Sequence, residues 1–366
     1  MREDYCSTMD LLLGKRLREL PGPILVTGHT GFKGTWLTLL LERLGVPVVG
    51  FSLAPEPDSL FDRAKRTGAI PEAFVDIRDF NAVRQFVEAH RPSVVVHMAA
   101  QPLVLESYRT PRETFETNVL GTVNVLESAF RTDSVEAVVV VTTDKVYRNN
   151  NTGNSFVESD ALAGKDPYSA SKVGTEAAVA AWQQISKVAG GPKVVAVRAG
   201  NVIGGGDWAE NRLIPDLIRG FISGEPIQIR NPDSTRPWQH VLDPLRGYLM
   251  ALETVLSGEE IFAMNFGPDD SSLTVRQIFE IAKKSWGAEN ELVTDSSVSE
   301  FEKQAEAISL NLDSTLARKS LGWRPLWSQE EAAIASVQWW KAVFEGHGIA
   351  SDACQTDIRF LTDDLG

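Results

Sequence analysis

Through its first two hundred residues the chain alternates short unbroken apolar runs with stretches whose apolar residues recur every three or four positions. That alternation predicts parallel strands buried on both faces and joined by helices that cover them. The first run opens at Ile24 and leads, through a glycine turn, into the helical pattern Trp36-Leu37-Leu40-Leu41-Leu44. Gly45 reads as a helix stop and Val46 to Phe51 as a second strand, completing a strand–helix–strand unit. Phe74-Val75-Asp76 predicts a short third strand, Phe80 to His90 a helix, and Ser93 to Met98 (SVVVHM) a buried fourth strand opened by Pro92. A helix follows from Pro111 with Phe115, Val119, Val123 and Leu126 on one face, and Val135 to Thr142 is the fifth strand. Tyr168 to Val188 reads as a helix with Asp166 as N-cap and Pro167 in the first turn, and Lys193 to Arg198 as the sixth strand. The fold class is therefore α/β, a doubly wound parallel sheet.

Beyond Asn201 the texture changes to glycines at 204 to 206 and short segments around Leu213–Ser223, Ile227–Ile229, Leu242–Leu256 and Ile261–Phe266, broken by Pro and Gly. These segments look too irregular to extend the sheet in simple order, and the expectation is a smaller lobe over the carboxyl ends of the strands. The division expected is an N-terminal extension over 1–20, a nucleotide-binding domain over 21–200, a lobe over 201–350 with some segments returning to the core, and a loose tail over 351–366.

Composition narrows the partners. A net charge of −13 argues against nucleic acid and anionic membrane surfaces, which demand a basic face. Any phosphate must be held by local donors. Cys6 and Cys354 lie near opposite ends and suggest neither a disulfide framework nor a metal site. No apolar run approaches a membrane span, and the acidic start MREDYC is unlike a secretory signal, so a cytoplasmic protein is expected.

Two groups of residues carry chemistry by their spacing. In ILVTGHTGFKGTW, Gly28 allows a tight turn, Gly31 lets backbone approach a phosphate, and Gly34 lets the helix pack on the strand, with Thr30, Phe32 and Lys33 between them. Strand, glycine turn and helix N-terminus together make a Rossmann-type dinucleotide cradle. In Asp166-Pro167-Tyr168-Ser169-Ala170-Ser171-Lys172, Tyr168 and Lys172 stand one helical turn apart. An ammonium there, with an oxidised nicotinamide, would lower the phenol's pKa and make Tyr168 a general base, while Lys172 bonds the nicotinamide ribose.

These motifs, with HMAAQ (His97 to Gln101), Asn118 in ETNVLGT, TTDKVY (Thr142 to Tyr147), RAGNVIGGGDW (Arg198 to Trp208), RPWQHVLDP (Arg236 to Pro244) and LGWRP (Leu321 to Pro325), fall in a known order. The chain resembles the extended short-chain dehydrogenase/reductase family, and within it the nucleotide-sugar 4,6-dehydratases, over residues 22 to 342. Thr143-Asp144-Lys145, in place of Thr-Asp-Glu, resembles the branch that acts on CDP-glucose. The resemblance implies an internal redox cycle on NAD: oxidation at carbon 4, loss of water across carbons 5 and 6, and hydride return to carbon 6. It implies that Thr143 bonds the carbon 4 oxygen and that Asp144 protonates the departing hydroxyl. Lys145 then stands where relatives place the base, and acts either as a neutral amine or as a charged stabiliser of the enolate. It further implies cofactor contacts from Asp76 and Ile77 at the adenine and from Ala99, Ala100 and Gln101 at the ribose and pyrophosphate, with Asn118 behind the site. Asn201, Arg212 and Arg236 resemble the residues that hold the substrate's diphosphate.

One departure leaves NAD against NADP open. The second strand ends in Gly50-Phe51-Ser52-Leu53, without the acid that commonly holds the adenosine ribose, and Ser52 is the available ligand. A 4-epimerase and a noncatalytic NAD-binding scaffold are the alternative readings. Relatives pair through helices equivalent to Pro111–Phe130 and Tyr168–Val188, so a homodimer or homotetramer is expected.

Overall fold

The computed structural model describes residues 14–150, 153–270, 272–294, 310–346 and 349–362. Residues 1–13 of the expected N-terminal extension, Cys6 among them, lie outside that set; Lys15–Arg18 form one helical turn with Leu17 buried. Seven strands make the central sheet: β1 (Ile24–Thr27), β2 (Val48–Ser52), β3 (Glu72–Phe74), β4 (Val94–His97), β5 (Ala137–Val141), β6 (Lys193–Ala199) and β7 (Ala263–Phe266). Their order is β3-β2-β1-β4-β5-β6-β7, and every neighbouring pair is parallel. The chain leaves β1 toward one edge and β4 toward the other, so a crevice opens at the carboxyl ends of β1 and β4, where such sheets bind ligands.

Side chains alternate between two cores. Ile24 and Val26 of β1, Val94 and Val96 of β4 and Val139 of β5 face one side, packed by helix α1 (Phe32–Arg43) and a later helix over Leu242–Leu256. Leu25, Val95 and Val138 face the other, packed by α2 (Phe80–His90), α3 (Pro111–Phe130, with a π turn over Glu116–Leu120) and α4 (Pro167–Ala189). Each such Val or Leu taken fully from water contributes about 1.5–3 kcal/mol, and burial on both faces is why the strands read as β-branched runs. α4 begins as its sequence dictates: Asp166 accepts from Ser169 N–H while the Ser169 hydroxyl returns to the Asp166 backbone, with Pro167 at the first position.

Three expectations are corrected. The segment after Asn201 does extend the sheet in simple order: α5 (Leu242–Leu256) crosses over and Ala263–Phe266 pairs with β6, Asn265 beside Arg198. The segment itself is marked in the sequence, but its place at the sheet edge is hidden because the buried Asn265 interrupts the apolar run. The third strand lies at Glu72–Phe74, two residues earlier than expected, in register with Gly50–Ser52. Of the expected loose tail, the described residues to Thr362 are helical: α6 (Gln329–Phe344) is followed by α7 (Ala350–Thr362), which buries Cys354, Ile358 and Leu361, and residues 363–366 lie outside the described set. Short strand pairs, Val202–Ile203 with Gln239–His240 and Thr235–Arg236 with Leu273–Thr274, carry Asn201 and Arg236 toward the crevice rim.

Candidate active site

At the glycine turn three strands and a helix converge. Gly28 adopts φ +73, and a Cβ on it would lie 2.8 Å from the backbone of Ala99. A Cβ on Gly34 would lie 2.1 Å from the Gly28 carbonyl. No side chain caps α1 at Gly31, so its first N–H groups are left for an external anion, as a pyrophosphate cradle requires. Lys33, half-buried in that first turn, donates to the Tyr248 hydroxyl at 3.4 Å. Burial, with Lys172 and Arg212 nearby, pushes its ammonium down to about 7. Phe32 is half-buried beside it.

Where an acid is missing at the end of β2, the Ser52 hydroxyl lies 2.7 Å from that of Thr30, and Thr30 is 3.1 Å from the Leu53 carbonyl. The acid of this region sits on β3 instead: Glu72 bonds the buried ring of His29 at 2.8 Å. Asp76 is engaged by Arg78, whose guanidinium lies 2.7 Å away; against a burial cost, that partner holds the carboxyl below its usual range. Ile77 turns its side chain into the core toward Gly121, and its carbonyl accepts from Asn124.

Behind the crevice, Ala99 and Ala100 are half-buried and Gln101 is clamped by Asn118, which accepts from the Gln101 N–H at 2.8 Å and donates to its carbonyl at 3.0 Å. Asn118 also donates to Ser171 on α4, and its carbonyl, within the π turn, takes hydroxyls from Thr122 and Thr175. His97 spans Thr27 and Thr122, and burial lowers its pKa to about 3, with Lys172 adding to the effect.

The reactive groups meet just past β5. The Thr143 side chain acts on the Tyr168 phenol in favour of its ionised form, and the Thr143 hydroxyl donates to Asp144 Oδ1 at 3.0 Å. Asp144 is 2 % exposed, and among the described residues its Oδ2 has no hydrogen-bond partner. Burial raises its pKa, against the opposing pull of Lys145, Thr143 and Arg236, so it tends to keep its proton. Lys172 donates to the Val141 carbonyl at 3.0 Å, and burial lowers it to about 8. The expected lowering of Tyr168 is corrected for the protein alone: burial pushes the phenol up to about 12, with Thr143 and Arg212 pulling the other way. Lys145, the next residue, is exposed, and its charge reaches Asp144.

Arg212 pairs with Asp207 at 3.1 Å and its charge reaches Tyr168. Arg236 donates to the Thr235 carbonyl and its charge reaches Asp144, while Asn201, at φ 44, accepts from Gln239 N–H. Three residues escaped the sequence reading. Gly200 matters because a Cβ there would fall 1.8 Å from Asp144 Oδ2. Tyr248 brings a buried hydroxyl to Lys33, and nothing in the sequence marks it. Glu176 continues the four-residue spacing of Tyr168 and Lys172, a signal that was present.

The model of the NAD dependent epimerase/dehydratase family matches residues 24–267. A CDP-glucose 4,6-dehydratase of Salmonella typhimurium is 41% identical over 88% of this chain and 91% of its own. A dTDP-glucose 4,6-dehydratase of Neisseria gonorrhoeae is 27% identical over 87% and 95%. The crystal structure of a Streptomyces venezuelae dTDP-glucose 4,6-dehydratase with NAD bound superposes with TM-score 0.74 at 25% identity, covering 89% of this chain and 98% of that one. In fold alone, a Thermotoga maritima UDP-glucose 4-epimerase matches with TM-score 0.77 at 23% identity, covering 88% and 99%. The chain belongs to the NAD dependent epimerase/dehydratase family.

Proposed function

We propose that this chain dehydrates CDP-glucose to CDP-4-dehydro-6-deoxyglucose in an NAD-dependent internal redox cycle. The observation that carries the reading is Asp144, a buried carboxyl with a free oxygen and a raised pKa, directly linked to Thr143. A carboxyl that tends to hold its proton serves as the acid for a departing hydroxyl, a step that inversion at carbon 4 does not contain. The 41% identity to a CDP-glucose 4,6-dehydratase supports the base and the sugar.

NAD fits the residues present. The uncapped start of α1, the space guarded by Gly28 and Gly34, and Gly31 with Thr30, Phe32 and Lys33 suit its pyrophosphate. Ser52 with Thr30 suits the adenosine ribose, Asp76 and the backbone of Ile77 the adenine, Ala99, Ala100 and Gln101 the crevice floor, and Lys172 the nicotinamide ribose. Bound NAD supplies the acceptor and later the donor of hydride, and its positive ring opposes the burial that holds Tyr168 protonated.

The protein's part is proton traffic and orientation. Tyr168 takes the proton of the carbon 4 hydroxyl while Thr143 bonds the same oxygen. The ketone so formed acidifies carbon 5, and Asp144 gives its proton to the hydroxyl leaving carbon 6. Lys145, exposed and standing where relatives place the base, takes the carbon 5 proton as the neutral amine, and the ammonium so formed stabilises the enolate. Arg212 and Arg236, with Asn201, hold the diphosphate.

The reading also implies a cytoplasmic enzyme handling a small nucleotide sugar, with no nucleic-acid or membrane partner. Among the described residues no helix is long and apolar enough to cross a membrane. A homodimer or homotetramer through α3 and α4 is supported by the exposed Phe115, Leu120, Ile185 and Val188 on those helices.

The deciding experiment offers CDP-, dTDP-, GDP- and UDP-hexoses and assays 4-keto-6-deoxy product by mass spectrometry. Loss of water from CDP-glucose is expected. Recovery of CDP-galactose, or turnover of dTDP-glucose in preference, overturns the reading.

A further inference from the structure

A second buried charge cluster lies one helical turn past Lys172. Glu176 and Arg198 are 7 % and 4 % exposed and bind as a fork, Arg198 Nε to Oε1 and Nη2 to Oε2, both at 2.8 Å. The pair is wired to its surroundings. The Thr142 hydroxyl donates to Glu176 Oε1 at 2.6 Å. Arg198 Nη1 donates to the Tyr147 hydroxyl at 2.8 Å and to the Glu158 carbonyl at 3.1 Å, and Tyr147 donates onward to Asn265 on β7 at 2.7 Å.

Each anchored residue borders the site described above. Thr142 precedes Thr143 and Asp144, Tyr147 closes the turn that follows them, and Arg198 stands two residues before Gly200, the wall against Asp144 Oδ2. Glu176 and Lys172 share one face of α4.

We infer that Glu176 and Arg198 are positioning residues of the reaction, fixing the place of the Lys172 ammonium and of the Thr143–Asp144 turn while touching neither cofactor nor substrate. The inference rests on the catalytic reading of Lys172 and Asp144. A bidentate arginine pair with no freedom to re-aim is suited to that task, and its charge acts at short range in a desolvated place.

The charge has its own consequence. Lys172 is faced by Lys33 from α1, by His97 from the end of β4, and by Glu176 from its own helix. Burial lowers its pKa, and Glu176 pulls the other way. Removing the carboxylate therefore lowers the Lys172 pKa further, so that the ammonium is lost at a lower pH.

The test compares wild type with Glu176→Gln/Arg198→Met, which removes both buried charges together and avoids leaving one unpaired. Two readouts are taken on the full-length protein: the pH profile of kcat for CDP-glucose, and the pH dependence of Lys172 acetylation by acetic anhydride, read by mass spectrometry. The double variant is expected to bind NAD, to lose kcat by about tenfold or more with KM little changed, and to show both the alkaline limb and the Lys172 titration displaced downward. Glu176→Asp, which keeps the charge, is expected to hold the titration near the wild-type position while kcat still falls, and it carries the test where the double variant does not fold. An unchanged kcat in Glu176→Asp, or an unchanged Lys172 titration in the folded double variant, overturns the inference. The acetylation readout needs no turnover, so a wild-type protein inactive on CDP-glucose refutes the proposed function while Lys172 still reports on this one.

Discussion

Asp144 and Tyr168 share a neighbour, Thr143, yet act at different moments of the proposed cycle, and substitution separates them. Tyr168→Phe is expected to stop the first hydride transfer, with no transient absorbance of reduced cofactor in stopped flow and kcat down at least about a hundredfold. Asp144→Asn is expected to allow that transient while slowing water loss about a hundredfold; a dehydration rate equal to wild type rejects the acid assignment. Gly200→Ala probes the same carboxyl from the other side. Its methyl would occupy the position of Oδ2, so the carboxyl must move by an ångström or more, with a loss in kcat of order a hundredfold at nearly unchanged NAD affinity. Residue chemistry was legible where spacing encodes it, as in Tyr168 and Lys172. It was hidden where a residue matters for what it lacks, as Gly200 does, or where contact comes from a distant helix, as with Tyr248 meeting Lys33 across 215 positions.

At the level of elements, the π turn of α3 explains how one asparagine serves a strand exit and a neighbouring helix together. Widening the helix at Glu116–Leu120 lets the Asn118 carbonyl accept hydroxyls from Thr122 and Thr175 while its side chain clamps Gln101. Asn118→Ala leaves both backbone groups of Gln101 without that partner, at about 1–3 kcal/mol for each group left unsatisfied. The expected outcome is a melting temperature lower by several degrees and weaker NAD binding by titration; unchanged affinity would separate this helix from the crevice floor. Most elements could be read from the chain because a strand covered on both faces must be apolar throughout. The segment of β7 is visible in the sequence over Ile261–Phe266, but its place at the sheet edge is not, since Asn265 is buried there and satisfied by Tyr147, the Glu158 carboxylate and carbonyls of Phe156 and Asp313. α7 was missed for a different reason: its apolar residues are spaced for one face only, and that face has meaning once α1, α5 and α6 are known to lie against it.

For the whole molecule, two expectations concern assembly and pH. Leu120 is 56 % exposed on the face of α3 that the proposed oligomer would cover, so Leu120→Glu is expected to give a monomer by light scattering where the parent chain gives a dimer or larger. A monomeric parent at micromolar concentration would discard the α3–α4 interface. Glu253 accepts from Gly14 N–H at 3.0 Å, and burial raises its pKa from 4.5 to about 7. Because the folded state holds this proton more tightly than the unfolded chain, the associated stability is fully present below pH 4.5 and is lost as pH rises through 7. Glu253→Gln keeps the acceptor and removes the titration, so its melting temperature should fall less steeply than wild type between those limits. Equal slopes would assign the pH dependence elsewhere, with Asp243, raised to about 6 by burial, the next group to replace.

The docking of α7 on α1 bears on how the protein is made. α1 carries the helix start on which cofactor binding depends, and eight of its twelve residues are buried, yet part of its cover is supplied by Ala350–Thr362, more than three hundred positions downstream. During synthesis the first strand–helix–strand unit therefore emerges with a greasy flank that its own half cannot hide. Until Ile358 and Leu361 have left the ribosome, that flank is a surface for chaperones and for sticking to other nascent chains. Translation of Ala350–Thr362 therefore adds to the cover that α5 gives this flank.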